Sequence, residues 1–314
     1  GVSGVQFTDS LPCPNCLGMV VSHDMKQRRF STVYSPEGEK HIYVYVKRFH
    51  CRECGQLCYA KAPFYEKSRF NNIENMILTT QQMLMNGASI IDIGAASSRP
   101  GAKLIDTEQE QDALLPALEA LVNHFPETAF SVDTYNARTA KAAVLTGATM
   151  INDISAGKIN DEMFEVIASL NVAYIMMHMQ GIPEFMQMNP IYDNVVQDTI
   201  TFFTERIGKA REAGIKDIII DPGFGFGKTI AHNYELLKAL KLFGVFQMPI
   251  LCGLSRKSFI NKVINTKAKE ALNGTTVLNT IALLNGAHIL RVHDVLEAKQ
   301  VVELVNYYST VTAL

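Results

Sequence analysis

Beyond about residue 64 the chain repeats one pattern, a short apolar run closing on polar residues and then a helix-length amphipathic stretch. The runs are Ala88-Ser-Ile-Ile-Asp-Ile-Gly, Ala129-Phe-Ser-Val-Asp-Thr, Met150-Ile-Asn-Asp-Ile-Ser and Ala173-Tyr-Ile-Met-Met-His. Then follow Asp217-Ile-Ile-Ile-Asp-Pro, Pro249-Ile-Leu-Cys-Gly-Leu-Ser and His288-Ile-Leu-Arg-Val-His-Asp. Near-continuous apolar strands suit a sheet covered on both faces. Spacers with helical periodicity, over residues 72–85 and 136–145 for example, supply the cover. Strict alternation predicts βαβ units and a parallel sheet, either closed into a barrel or doubly wound. Seven such runs are one short of an eight-stranded barrel. The missing strand is expected before residue 72. Its candidates are the alternating His41-Ile-Tyr-Val-Tyr-Val-Lys and the short Gln56-Leu-Cys-Tyr-Ala.

Composition narrows the class without choosing a function. At 314 residues and 34.8 kDa, one barrel-sized domain with a small appendage fits better than two equal domains. A hydrophobic fraction of 47% and a charged fraction of 19% describe an ordinary globular protein. A net charge of -2 gives no case for a chain-wide nucleic-acid or anionic-membrane surface. No apolar run is long enough to span a bilayer, and no basic start precedes an apolar signal core, so the cytosol is the expected location.

The polar residues that close the strands carry the chemistry. They are Asp92, Asp133, Asn152 with Asp153, His178, Asp221, the Ser255-Arg-Lys257 stretch, and Arg291 with His293 and Asp294. In a parallel barrel every strand C-terminus opens on one face. Any single one of these residues could be a cap or a turn residue, but so many together predict a site. Asp133, Asn152 and Asp221 supply acceptors and an amide for a heterocycle rich in N–H donors. Lys257, Arg291, His293 and Arg99 supply donors for phosphate or carboxylate oxygens. A polar ring beside a diphosphate is the ligand class these groups imply. The stretch Asp221-Pro-Gly-Phe-Gly-Phe-Gly-Lys-Thr is not a phosphate loop, because Pro222 stands where that motif needs glycine. Its glycines permit a tight loop, with Phe224 and Phe226 either displayed to a flat ligand or closing the barrel edge.

These segments, in order, resemble the dihydropteroate synthase family. The resemblance rests on Gly87-Ala-Ser-Ile-Ile-Asp-Ile-Gly-Ala-Ala-Ser-Ser-Arg-Pro-Gly-Ala, Ser131-Val-Asp-Thr, Ile151-Asn-Asp-Ile-Ser-Ala-Gly and Met177-His-Met-Gln-Gly. It continues through Ile220-Asp-Pro-Gly-Phe-Gly-Phe-Gly-Lys, Gly253-Leu-Ser-Arg-Lys-Ser and Arg291-Val-His-Asp. It implies a (β/α)8 TIM-type barrel over residues 63–314. The implied activity condenses a dihydropterin methyl diphosphate with 4-aminobenzoate for folate synthesis, the reaction sulfonamides target. Carried over by motif, Asp133, Asn152, Asp221 and Lys257 would hold the pterin, with Met177 and Phe226 lining it. Arg291, His293 and Arg99 would hold diphosphate, with Arg291 also stacking on the ring. Ser258, Ser98 and Arg99 would hold aminobenzoate, and Gly253 is expected among the substrate-binding positions. Asp133, Asp221 and Lys257 are the catalytic candidates. Magnesium is implied with the diphosphate, and a homodimer through the last helices.

One segment departs from the family. Where its first strand and loop read Asn-Val-Thr-Pro-Asp-Ser-Phe, this chain has Cys58-Tyr-Ala-Lys-Ala-Pro-Phe. A thiol in place of that Asn is a poor partner for hard magnesium, so weakened or lost activity is expected.

Residues 1–62 carry a second signal. Cys13-Pro-Asn-Cys16 and Cys51-Arg-Glu-Cys54 bracket a strand pattern, and such knuckles predict a zinc ribbon of four thiolates, with Cys58 near enough to compete. The basic residues Lys26, Arg28, Arg29, Lys47, Arg48 and Arg52 read first as a solvated face, and second as a surface for nucleic acid or a partner protein. The alternatives are therefore a synthase, a non-catalytic pterin-binding or regulatory protein recruited through its ribbon, and, more remotely, a pterin-dependent methyl transferase on the same barrel.

Overall fold

The computed structural model describes residues 20–35, 38–51, 57–59, 69–95, 105–181, 185–186 and 190–311, with side chains from residue 73 onward. The chain divides into two compact units, Gly1–Asn72 and Ile73–Leu314.

The first unit holds an antiparallel sheet in the order β1 (Val20–Ser35), β2 (Gly38–Cys51), β3 (Leu57–Tyr59). Alternating β-branched and aromatic residues make β2 a strong strand. β1 has no such pattern through Asp24-Met-Lys-Gln-Arg-Arg, and it forms by pairing with β2 from Val20↔Cys51 to Ser35↔Gly38, with register shifts at Ser22/Asp24 and Arg29/Ser31. Both candidates for the first barrel strand are in this sheet. The His41 run lies within β2, and Leu57–Tyr59 pairs antiparallel with His50–Arg48. The expectation that one of them would supply a parallel barrel strand is corrected by that pairing.

The second unit is of the TIM-barrel type. Helix α1 (Arg69–Met85) leads into β4 (Ile90–Ile93), α2 (Thr107–His124), β5 (Ala129–Asp133), α3 (Ala137–Thr146), β6 (Met150–Asp153) and α4 (Met163–Leu170). Next come β7 (Ala173–Met177), α5 (Val195–Glu212), β8 (Ile218–Asp221), α6 (Ile230–Lys238), β9 (Leu251–Cys252) and α7 (Ser258–Ile264). Helix α8 (Leu272–Leu284), β10 (Ile289–Leu290) and α9 (Val295–Thr310) complete it. β4 to β8 form one parallel sheet in chain order, β9 pairs parallel with β10, and an Ile220↔Ile250 bridge joins the two sets. Among the described residues there are thus seven parallel strands in sequence order. No helix among them is long and apolar enough to cross a membrane.

Local chemistry starts and stops the helices. Asp106 caps α2 by accepting from the Glu108 amide at 2.7 Å, and Glu108 and Glu110 lie in its first turn, where acidic groups oppose the helix dipole. Asn136 caps α3, which ends at Gly147 with φ +123°. Thr229 and His232 form a reciprocal capping box on α6.

Period-2 alternation sorts the strand residues into two layers. Ile91, Ile93, Phe130, Val132, Ile151, Tyr174, Met176, Ile218, Ile220, Ile250 and Cys252 pack outward against the helices. Each fully buried large side chain there contributes roughly 1.5–3 kcal/mol. Between them, Ile175, Ile219 and Leu251 make a separate inner cluster, with Met150 and Ile289 against it. Two residues further along those strands stand Asn152, Met177, Asp221, Gly253 and Arg291. The same step carries Ile90 to Asp92 and Ser131 to Asp133. A mostly apolar plug therefore sits one layer beneath a ring that carries Asp92, Asp133, Asn152, Asp221 and Arg291, with Met177 and Gly253 among them.

Candidate functional site

The ring is aligned by strand register. Asp133 pairs with Asn152, and Met177 with Asp221, so the predicted residues stand at one height. Arg291 joins the two ends of the row. Its Nη1 lies 3.6 Å from Asp92 Oδ2 and its Nη2 lies 3.5 Å from Asp221 Oδ2. Burial works against its charge, but Asp221, Asp92 and Asp133 outweigh it and hold the guanidinium above its ordinary range. Gly253 leaves the space, since a Cβ there would lie 3.3 Å from Arg291 Nε and Nη2.

Asn152 is fully buried and donates from Nδ2 to Asp92 Oδ2 at 3.2 Å. Its Oδ1 is buried without a protein partner among the described residues. Such an orphan acceptor costs about 1–3 kcal/mol, which a ligand N–H would recover. Asp133 keeps a partly open face at the mouth, yet protein crowds its other sides. Desolvation and then Asp92 push its carboxyl up to about 7, against the pull of Arg291. Asp221 is 1% exposed and accepts from the Gly223 amide at 2.8 Å through Oδ1, leaving Oδ2 for Arg291.

Lys257 reaches in from the next loop. Its Nζ donates to the Phe224 carbonyl and sits 4.6 Å above the Phe226 ring. Burial lowers its ammonium to about 7, although Asp221 opposes the shift. The two phenylalanines, left open by the sequence, take different roles. Phe224 is fully buried in the helix-facing core, whereas Phe226 keeps 8% exposure below Lys257. Met177 is fully buried with Tyr135, Met179, Met186 and Phe226, so it backs the site and does not present an open wall.

Several strand-end residues prove to be scaffold. Asp153, on the opposite face from Asn152, accepts from the Ser155 amide and hydroxyl, the Gly157 amide and the Tyr174 hydroxyl, all within 2.8 Å. Arg256 grips Asp294 with two nitrogens at 2.8 and 2.5 Å. That pair, with Ser255 Oγ 2.9 Å from His293 Nδ1, ties the loop carrying Lys257 to the loop carrying His293. Ser258 is exposed at the first position of α7. Ser98 and Arg99 lie outside the described residues, as do Cys13, Cys16, Cys54 and the side chain of Cys51.

Sequence reasoning named Asp92 as a strand end but left it out of the site, where it contacts both Asn152 and Arg291. The plug-and-ring step of two residues would have found it. Ser255 was likewise named only as a strand end, and Lys228 was missed, because their partners are fixed only by loop geometry.

A family model described as pterin binding enzyme matches residues 54–293. The dihydropteroate synthase of Escherichia coli (strain K12) is 39% identical over 245 residues, 76% of this chain and 86% of that one. The dihydropteroate synthase of Yersinia pestis, solved with a sulfonamide drug complex, superposes with a TM-score of 0.74 at 37% identity, covering 78% of this chain and 89% of that one. That of Xanthomonas albilineans, solved with 4-aminobenzoic acid, gives a TM-score of 0.73 at 32% identity over 82% and 97% of the two chains.

Proposed function

The chain belongs to the pterin binding enzyme family, among the dihydropteroate synthases, and we propose that it joins (7,8-dihydropterin-6-yl)methyl diphosphate to 4-aminobenzoate. The observation that carries the proposal is the ring of Asp92, Asp133, Asn152, Asp221 and Arg291, with one buried amide oxygen unpaired among the described residues. That oxygen and the carboxylates suit the N–H edge of a pterin. Lys257, Arg291 and His293 suit the diphosphate, and Ser258 with Ser98 and Arg99 the aminobenzoate.

In the reaction the bond from the methylene carbon to the diphosphate oxygen breaks, and the amine nitrogen bonds to that carbon and gives up a proton. Asp133 and Asp221 stabilise the positive charge growing on the pterin. Lys257, Arg291 and His293 stabilise the departing oxygens, and preorganisation makes both effects stronger than in water. Phe226 would cover one face of the ring. Turnover of the two substrates by the purified full chain, with dihydropteroate as product, tests the proposal; pterin binding without product would instead favour the regulatory alternative. A reduced rate is expected. Cys58 lies inside the range matched by the family model, yet its strand β3 pairs antiparallel to β2.

The pH dependence follows from two groups. Ionised Asp133 is gained as pH rises through about 7, and charged Lys257 is lost as pH rises through about 7. kcat/KM should peak near neutrality and fall on both sides, and Lys257→Arg should erase the alkaline limb. A flat profile from pH 6 to 8.5 would contradict this assignment. The same shifts destabilise the unliganded fold. Asp133 costs stability increasingly from its unfolded value of 3.8 up through 7, and the cost of Lys257 fades between 7 and 10.5.

Magnesium would be held by diphosphate oxygens and water. Among the described residues no group of three His, Cys, Asp or Glu side chains could hold a metal ion. Zinc in the first unit remains our proposal for Cys13, Cys16, Cys51 and Cys54. It is supported by a hairpin that starts soon after Cys16 and pairs Val20 with Cys51. Metal analysis of the purified chain should give one zinc per chain; a stoichiometry near zero would end this part of the reading. A homodimer through α9 is supported by the exposure of Leu296, Leu304, Tyr307 and Tyr308, and sedimentation tests it.

A further inference from the structure

Lys228 is 4% exposed and none of the steps above uses it. Its Nζ lies 2.9 Å from His178 Nδ1 and from the Gly223 carbonyl, 3.0 Å from the Phe226 carbonyl and 3.3 Å from the His178 carbonyl. Three close acceptors thus surround the Lys228 Nζ, an N–H donor in either protonation state, while burial pushes its pKa well below the ordinary lysine range. Burial holds His178 well below its ordinary range, so the ring is neutral and Nδ1 can accept. Two of the other acceptors belong to the loop after β8, which crosses the site with positive φ at Gly223, Gly225 and Gly227. Glycines alone would leave that loop free among many conformations.

The loop has one further contact that bears on the reaction. It presents the Phe224 carbonyl and the Phe226 ring, the two groups that hold Lys257 Nζ. Lys228 grips the carbonyls on either side of Phe224, at Gly223 and Phe226. Tyr192 adds a hydroxyl to the Gly227 carbonyl at 2.8 Å, and Asn233 Oδ1 accepts from the Gly225 amide at 2.6 Å. We propose that Lys228 is a positioning residue of the synthase site, a buried amine that sets the loop so that Phe224 and Phe226 fix Lys257 over the pterin and diphosphate. It acts through Lys257 and touches no substrate itself.

The inference rests on the synthase reading for its kinetic consequence but not for its structural one, so the test has two readouts. The first is the titration of Lys257 in the ligand-free full chain, followed by NMR of lysines labelled at 13Cε, with the signal assigned by Lys257→Arg. In Lys228→Met and Lys228→Gln proteins the loop should loosen and water should reach Lys257. Its midpoint should then rise by about one unit or more, with the smaller shift in Lys228→Gln, which keeps two donors. The second readout is synthesis. KM for the dihydropterin diphosphate should rise about tenfold or more in Lys228→Met, with a smaller change in kcat, and Lys228→Gln should recover part of it. If the wild-type chain makes no product, the function fails and the NMR result still decides the loop. A Lys257 midpoint at the wild-type position in any folded variant overturns the proposal. Failure of both variants to fold also overturns it, because Lys228 would then serve the fold alone.

Discussion

Gly223→Ala is expected to destabilise the protein by about 4 kcal/mol or more, near the upper end of single substitutions, and to abolish synthesis with it. A Cβ at this position would stand 1.9 Å from the His178 carbonyl oxygen and 3.3 Å from Met177 Cγ. The carbonyl belongs to the residue just past β7, whose amide is bonded to the Asp221 carbonyl at 2.9 Å, so it cannot retreat without unpairing the strand ends. The backbone is also left-handed there, with φ +71°, which adds strain for any L side chain. The amide of Gly223 is the donor that orients Asp221. Folding and site therefore fail together. Gly208→Ala is the control, since it lies inside α5, meets nothing within 4 Å and should stabilise by about 0.5–1 kcal/mol. Urea melts of the two proteins decide the matter. A Gly223→Ala midpoint close to wild type would mean that the approach of the two strand ends is looser than these distances require.

Much of the site could be read from the chain because β-strand geometry is simple. Side chains alternate, so an apolar residue followed two places later by a polar one, repeated on successive parallel strands, must stack as plug and ring. Asp133, Asn152, Asp221 and Arg291 were legible more simply, as polar residues that close apolar runs, and for Asn152, Asp221 and Arg291 the two-residue step from Met150, Ile219 and Ile289 agrees. The same rule distinguishes Asn152 from Asp153, although the sequence reading kept them together. What stayed hidden depends on loops. Arg256 and Lys257 are neighbours of like charge, and only the left-handed φ of +56° at Arg256 decides that it turns to Asp294 while Lys257 enters the site. Phe224 and Phe226 likewise look equivalent until the glycines between and beside them set one into the core. β1 was invisible for another reason. Its polar centre has little strand preference of its own, and long-range pairing to β2 supplies what local propensity lacks. For the same reason the segment at Cys58 resisted assignment, since a short apolar run can pair in either direction.

Asp221→Asn should lower kcat/KM by about 10²–10³-fold, some 3–4 kcal/mol of transition-state stabilisation, while leaving the fold in place. The substitution keeps shape and volume. Its amide oxygen can still accept from the Gly223 amide, so the loop that Gly223 begins keeps its anchor. What changes is the side facing Arg291, where an NH2 group would meet Nη2 at the present 3.5 Å separation. Donor faces donor, and a 1% exposed position admits little water to separate them. Arg291 would turn toward Asp92, and the site would lose both a negative charge beside the pterin and the geometry that aims the guanidinium at diphosphate. Asp92→Asn should cost less, about tenfold, because the Asp92 side chain is 24% exposed and its 3.6 Å contact is better screened by water. The order of the two effects is the informative part. If Asp92→Asn proved the more damaging, or if Asp221→Asn stayed within tenfold of wild type with its melting unchanged, then the buried carboxylate at the end of β8 would be serving the scaffold, and charge stabilisation of the pterin would have to come from Asp133 alone.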